Sequence, residues 1–571
     1  MRNWHGLLVA AALPVGALAG DVAVYRGPQI NGIYEETGLL PAWPAAGPKL
    51  LWKQMLGQAY GGPSVVNGIV WIFSDANGHL FGFSLDGELK HRYPVGGTSW
   101  KRFTGPRCTP LIRDGIGVVV RPNADVHAID LKTGQQRWTL NAWKSFGAGT
   151  GSQGWGYPSS FPAFENKIIL NPVSRTNATP PIVAVDFATG KTLWEAAAGD
   201  NKRYSCGDHS ASVFQHNGRW LNVNPTWRYI LCLDPRDGKR LWEIPDPNTD
   251  KGSEKVMSPV YNNGYLLFDI AGAAICVKLN ADGTGYTPLW ARPLGQNFSH
   301  AVILGNRAYL AGDVTQPVWR GPTLLTDLTN RPPALVKPRR AKTDPPLPDA
   351  PGGLLCVDIE TGEFVDVVRM NEGLGHVVAA DGLLYALDYD RNPVATNMTL
   401  QAYLIRPTAN GMELAGQFRL PMTEADAKVK DMEFQANIPP VIAHGRLFIR
   451  YGPLWAFDLR PDQNAPPAPP AAVPPTGIWD LYLRGFNGSN HDLIVTLDVR
   501  TNALFSGVAV GSRTQQLVTA KSLNITADGL SGTILVASNA VTFEAKHARG
   551  CLTGSYTGGQ GTKLNGRVTA R

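Results

Sequence analysis

Three observations predict an all-β protein. A two-part motif recurs eight times between residues 52 and 458, 62 Gly and 44 Pro punctuate the chain, and alternating apolar runs follow a proline-rich stretch. Together they read as an eight-bladed β-propeller closed by an N-terminal strand, with a small C-terminal β-barrel or β-sandwich domain behind it. Only 17% of residues are charged while 43% are hydrophobic, so a large core can form. That composition excludes a coiled coil or a disordered chain. The net charge of +7 is small for 571 residues, and no aromatic-basic stripe accompanies it, so no nucleic-acid partner is expected.

Residues 1–19 read as a signal peptide. Arg2 supplies the positive start, Leu7 to Leu13 an apolar run, and Ala17-Leu18-Ala19 a small-residue cleavage site. The apolar run is too short to span a bilayer, and no later stretch is long enough, so no transmembrane segment is expected. Asp21 follows Gly20 where a lipid anchor needs Cys, so none is expected. A periplasmic or secreted location follows. Export permits disulfides. Cys232, Cys276 and Cys356 nonetheless fall at equivalent strand positions and read as small core residues.

Residues 20–460 hold the repeats. The clearest copies are Val126-His127-Ala128-Ile129-Asp130 through Gly134, then Trp138; Ile182 to Gly190, then Trp194; and Leu231 to Gly238, then Trp242. Weaker copies centre on Ser84, Lys278, Asp358 and Leu404, and an eighth runs from Leu454 to Asp458. Before each lies a second motif: a small residue or Pro, an apolar pair, then a turn such as Asn67-Gly68, Asp114-Gly115 or Asn263-Gly264. The period is mostly 44 to 56 residues. One four-stranded unit cannot bury both its faces, whereas a ring of them can. The repeated Asp and Trp therefore mark the fold rather than chemistry. The eighth copy lacks an outer strand, and Leu50-Leu51-Trp52-Lys53 matches the missing one, which predicts closure by the N-terminus.

Residues 313–352 form an insertion rich in Pro and basic residues, including Lys337 to Lys342, expected as a surface loop or flap. Residues 461–476 read as a semi-rigid Pro/Ala linker. Residues 477–571 alternate apolar and polar positions, as in Asp492 to Val499, and read as strands.

The repeat resembles the PQQ-like, or quinoprotein-type, propeller repeat, whose core is A-[LIV]-D-x-x-T-G-x-x-x-W. Tyr25-Arg26-Gly27-Pro28, Glu36-Thr37-Gly38 and Trp43-Pro44 are similar to the opening of exported PQQ-like propeller proteins of bacteria. The resemblance implies one of two activities. One branch contains PQQ-dependent alcohol dehydrogenases; the other contains the BamB-type propeller of the outer-membrane assembly machinery, which binds proteins and has no cofactor. The dehydrogenases carry two adjacent cysteines over the quinone, and no two cysteines are adjacent here. Their Glu, Asn and Asp around calcium have no clear counterparts, and no C-x-x-C-H haem site is present.

Candidate site residues lie where loops from outer to inner strands meet. Trp100, Arg102, Arg107, Trp155, His209, His300 and His376 form the expected ligand-binding set, with Tyr157, Asp388 and Asp390 nearby. His209 beside Asp208 has the chemistry of an acid or base, and Glu433 is a third catalytic candidate. Three His with carboxylates suit a transition metal, but their spacing matches no known motif, so no metal is expected. These residues point to a binding or scaffold module for an envelope protein, peptide or glycan, without a cofactor. The alternative is a quinoprotein oxidoreductase using PQQ with calcium on an alcohol or sugar.

Overall fold

A computed structural model describes residues 20–100, 104–147, 156–157, 160–171, 181–197, 210–226, 229–246, 257–270, 273–293, 300–313, 323–324, 352–370, 375–390, 399–423, 426 and 438–461, with strand segments between 478 and 569. Among these residues the only α-helix is the single turn Ala142–Ser145. Everything else is strand, turn or irregular chain.

The propeller region contains eight sheets among the described residues. In chain order they span 64–94, 111–141, 163–196, 212–245, 260–293, 301–370, 377–419 and 441–458. Four strands pair antiparallel in chain order in each of the first seven, first to fourth from inner edge to outer edge, and only in the sixth does another strand, Thr323–Leu324, intervene in the chain. The last sheet takes its fourth strand from the N-terminus. Leu50–Gln54 pairs antiparallel with Leu454–Asp458, placing Trp52 opposite Ala456. This is the closure that the sequence predicts.

Buried clusters stitch the sheets into a circuit. One joins Ile72 and Phe81 of the first sheet to Phe448 and Trp455 of the last and to Leu404 of the seventh. Others join the first three sheets, the third to the fourth, the fourth to the fifth, the fifth to the sixth and the sixth to the seventh. Every neighbouring pair thus shares apolar surface, and the circuit returns to its start.

The motif residues build these seams. Asp130 accepts hydrogen bonds from the backbone N–H groups of Lys132 and Thr133, fixing the turn before Gly134. The tryptophan four residues on reaches across the seam. Trp138 Nε1 donates to Phe187 O at 3.0 Å, Trp194 to Pro235 O at 3.1 Å, Trp242 to Gly283 O at 3.2 Å and Trp290 to Ile359 O at 2.8 Å. Each acceptor belongs to the turn of the next sheet. Glycine is required there for two reasons. Gly190 has φ +70°, and a Cβ on it would lie 2.7 Å from the Trp138 ring.

The cysteines have a steric role. Across the strand pair, Trp138 faces Ala128, Trp242 faces Cys232 and Trp290 faces Cys276. A small side chain makes room for each indole. Cys108, Cys232, Cys276 and Cys356 are buried thiols. The first-to-second strand turns carry positive φ at both residues, as in Asn67-Gly68 (53° and 70°) and Asp114-Gly115 (48° and 71°), which suits tight hairpins.

The insertion after the sixth sheet's second strand does more than loop out. Its Thr323–Leu324 segment pairs with Trp290 and Ala291, adding a fifth strand to the outer edge of the fifth sheet. Between 478 and 569, eight strands close into a barrel, with Ile478–Arg484 pairing Lys563–Thr569. Ile534, Val541, Phe543 and Tyr556 are buried, whereas Ser522, Asn524, Thr542, Glu544, Ser555 and Thr557 are exposed. The described part of this barrel is therefore apolar inside and polar outside. Among the described residues no helix is long and apolar enough to cross a membrane.

Candidate functional site

Alternation fixes two faces on the ring of sheets. One gathers the tight turns between first and second strands; the other gathers the outer-to-inner loops and the ends of the second strands. The segment after Gly20 uses both. Asp21 accepts from Asn67 N at 3.0 Å and contacts His444 Nε2 at 2.8 Å, both in tight turns. Glu36 accepts from the backbone N–H groups of His444 and Gly445, and Leu39 N donates to Asp381. Both ends of the segment are thus held on the tight-turn face.

Between those ends the chain climbs along the inner strands. Val22 forms an antiparallel bridge with Val65 of the first sheet, and Ala23 O accepts from Ile112 N of the second. Asn31 donates to Tyr261 O of the fifth sheet. Arg26 Nη2 donates to Ala301 O of the sixth at 2.7 Å. Ile33–Tyr34 pairs parallel with Ala379 and Ala380 of the seventh, and Tyr34 donates its hydroxyl to Pro440 O of the eighth. From Val22 to Tyr34 only Pro28 and Gln29, at the tip, are exposed. The protein's own chain therefore occupies the space between the inner strands, entering and leaving on the tight-turn face.

Above this segment a belt of hydrogen bonds links the starts of the inner strands. Thr109 N donates to Ser160 Oγ, and Ser160 N to Ser210 Oγ, each at 2.9 Å. Ser258 Oγ lies 3.4 Å from His300 Nε2, and His300 Nδ1 lies 2.6 Å from His376 Nδ1. Tyr25 closes this arc from below, its hydroxyl 2.9 Å from His300 Nε2. Both imidazoles are buried. Burial pushes the Tyr25 hydroxyl up to about 12, against the pull of the Arg26 charge.

Arg26 lies directly beneath. It is 1% exposed, and Nη2 also donates to Asn31 O at 3.2 Å. Burial lowers its pKa, and its titratable neighbours are the phenols of Tyr25 and Tyr34, which burial keeps protonated.

A second group of candidates lies on the outer-to-inner loops of the first sheets. Trp100 is half-buried, its ring 5.8 Å from Trp143; Trp143 continues to Tyr157 at 6.4 Å and Tyr157 to Phe161 at 6.1 Å. Arg107 donates to Gly105 O and lies over the Tyr60 ring at 5.3 Å. Trp143, Tyr157 and Phe161 are buried in the core shared by the first three sheets, and Trp100 packs against them.

The structure thus brings His300 and His376 into direct contact and places Trp100, Arg107 and Tyr157 on the same face. Arg102, Trp155, Asp208, His209 and Glu433 lie outside the described residues, as does the Asp390 side chain. Asp388 is buried at the end of its strand. The residues that sequence reasoning left aside are Arg26, Ser258 and Tyr25. The signal for Tyr25 and Arg26 was the Tyr25-Arg26-Gly27-Pro28 run, which carries no periodicity to place it.

PQQ with calcium needs a cluster of oxygen ligands. Among the described residues no three His, Cys, Asp or Glu side chains converge on one point. The described cysteines are separate buried thiols, without the adjacent pair of the quinone enzymes. The described residues therefore do not fit that group.

A family model described as outer membrane protein assembly factor BamB matches residues 9–242 and 96–320, together more than half of the chain. No curated protein matches. Among solved structures, the quinohemoprotein alcohol dehydrogenase of Comamonas testosteroni is 12% identical with a TM-score of 0.52, over 80% of this chain and 85% of that one. A europium-containing methanol dehydrogenase is 12% identical with a TM-score of 0.50, over 76% and 90%. BamB from Moraxella catarrhalis is 12% identical with a TM-score of 0.45, over 73% and 99%. At such identities the likeness to the two dehydrogenases shows the fold alone. The repeats, their seams and the family model agree: the chain belongs to the BamB-like family of PQQ-like β-propellers.

Proposed function

We propose that this protein is an exported binding or scaffold module of the cell envelope, recognising a protein, peptide or glycan. Its eight sheets are the blades of one ring over residues 20–460, and residues 477–571 form a separate β domain. The signal peptide of residues 1–19 directs it to the periplasm or outside the cell.

One observation carries this reading. The space between the inner strands is filled from the tight-turn face by residues 21–36. That makes the outer-to-inner loop face the side from which a ligand would approach. It carries Trp100, half-buried against the core residue Trp143, and Arg107 over the Tyr60 ring. Aromatic and arginine side chains of this kind anchor protein and sugar ligands.

Site-specific photo-crosslinking in cells tests it. A crosslinker at Trp100 or Arg107 should give a discrete adduct, and one at Asn217, in a tight turn of the opposite face, should not. Equal labelling from both positions, or none from either, overturns the reading. So does quinone absorbance that survives desalting together with dye reduction by an alcohol or sugar. That result would establish the quinoprotein alternative.

A further inference from the structure

Arg26 is a buried cation whose hydrogen bonding is incomplete. Nη2 has two carbonyl partners, whereas Nε and Nη1 are shielded from solvent and have none. A guanidinium carries five N–H donors and stays charged in a protein. Among the described residues no carboxylate pairs with it; its titratable neighbours are Tyr25 and Tyr34, whose phenols burial keeps protonated and neutral. An uncompensated buried charge is strongly unfavourable, so the position is poised for a counter-ion. Groups able to donate to an anion are linked to it through its chain neighbour Tyr25 and through Ala301, the residue after His300: the Tyr25 hydroxyl, the Ser258 hydroxyl and the His300–His376 pair. All adjoin the tip of a segment whose exposed residues are Pro28 and Gln29.

We propose that Arg26, with Tyr25, Ser258 and the His300–His376 pair, forms a site for an anionic group, a carboxylate or phosphate, reached from the outer-to-inner loop face. The inference deepens the binding-module reading by naming the chemistry of the ligand, and it rests on that face being the one approached. The imidazole pair makes the site legible to spectroscopy. Two Nδ1 atoms 2.6 Å apart hold one proton between them. If His300 Nδ1 carries it, His300 Nε2 accepts from the Tyr25 hydroxyl. If His376 Nδ1 carries it, His300 Nε2 donates to Tyr25, and the Tyr25 O–H is released toward an anion. Anion binding therefore selects the second arrangement.

The test uses the full mature chain, titrated with inorganic phosphate or citrate at ionic strength matched by sodium chloride. The thermal midpoint should rise saturably with at least one of them. The anion that saturates at lower concentration separates tetrahedral phosphate from planar carboxylate recognition. Arg26→Gln should weaken the response at least about tenfold. Arg26→Lys, which keeps the charge, should weaken it less, and Arg137→Gln on the surface should leave it unchanged. Ring ¹⁵N shifts of His300 and His376 should move along the same titration in the unmodified protein, so the outcome does not hang on a variant folding. No saturable shift with either anion, a response unchanged in both Arg26 variants, or immobile histidine shifts would each overturn the proposal. Because it reads small anions alone, its failure is separate from a failure to crosslink a partner.

Discussion

Trp52 Nε1 donates to the carbonyl of Leu85 at 2.9 Å. The bond joins the strand that completes the last sheet to the turn of the first, repeating at the point of closure the contact made by Trp138, Trp194, Trp242 and Trp290. Trp52→Phe keeps most of the ring but leaves that carbonyl without its donor, and should cost about 1–3 kcal/mol. Trp52→Ala also empties the packing space against Phe83 and Phe448 and should cost about 3–5 kcal/mol. Equilibrium urea unfolding measures both.

The glycines of the seam allow a controlled comparison. Gly190→Ala meets both a positive φ and the Trp138 ring, whereas Gly218→Ala meets a φ of +84° with nothing within 4 Å. The second substitution should cost about 1 kcal/mol from backbone strain alone. The first should cost clearly more, since Trp138 must move. A Gly190→Ala variant no less stable than Gly218→Ala would contradict the stacking role.

Acid should weaken the seams through their aspartates. The Arg137 side chain holds Asp130 down to about 2, and Thr189, Arg236 and Arg460 hold Asp186, Asp234 and Asp458 below the usual range. A carboxyl depressed in the folded state stabilises above its unfolded pKa, about 3.9, and that contribution is lost as pH falls toward the folded value. The urea midpoint should therefore fall between about pH 4 and pH 2. Asp130→Asn should flatten part of that fall.

Removing residues 20–36 while keeping Leu50–Gln54 should remove the short Ile33–Tyr34 pairing, leave the four-stranded core of each sheet intact and open the space between the inner strands. Far-ultraviolet circular dichroism should change little. The thermal midpoint should drop, and a dye that binds apolar surface should fluoresce more. Removing the chain up to residue 55 should also expose the edge of Leu454–Asp458 and promote aggregation, detectable by light scattering.

Much of the fold was legible because its signals are local. Asp130, Thr133, Gly134 and Trp138 lie within nine residues, and the match of Leu50–Lys53 to the strand at Trp194 needed only comparison along the chain. Tight turns such as Asn263-Gly264 announce themselves by residue type. The closed barrel was not distinguishable from a sandwich, because alternation shows which residues face inward and not which strand meets which. The course of Tyr25 to Tyr34 was hidden for a related reason: irregular chain has no period, and its partners lie up to 406 residues away, as with Pro440. His300 and His376 were noticed because they share a position in the repeat. Their contact depends on how neighbouring sheets are staggered, which no single repeat records.

The pairing of Leu50–Gln54 with Leu454–Asp458 also sets an order of events. A chain that is made from its N-terminus presents Trp52 about four hundred residues before Ala456 exists to receive it. Until then the first strand has no sheet, the first sheet lacks one neighbour, and Arg26 has no Ala301 carbonyl to hold. The ring is therefore a structure whose earliest residues must wait for its latest, and a stalled or truncated chain keeps both edges open to whatever strand arrives first.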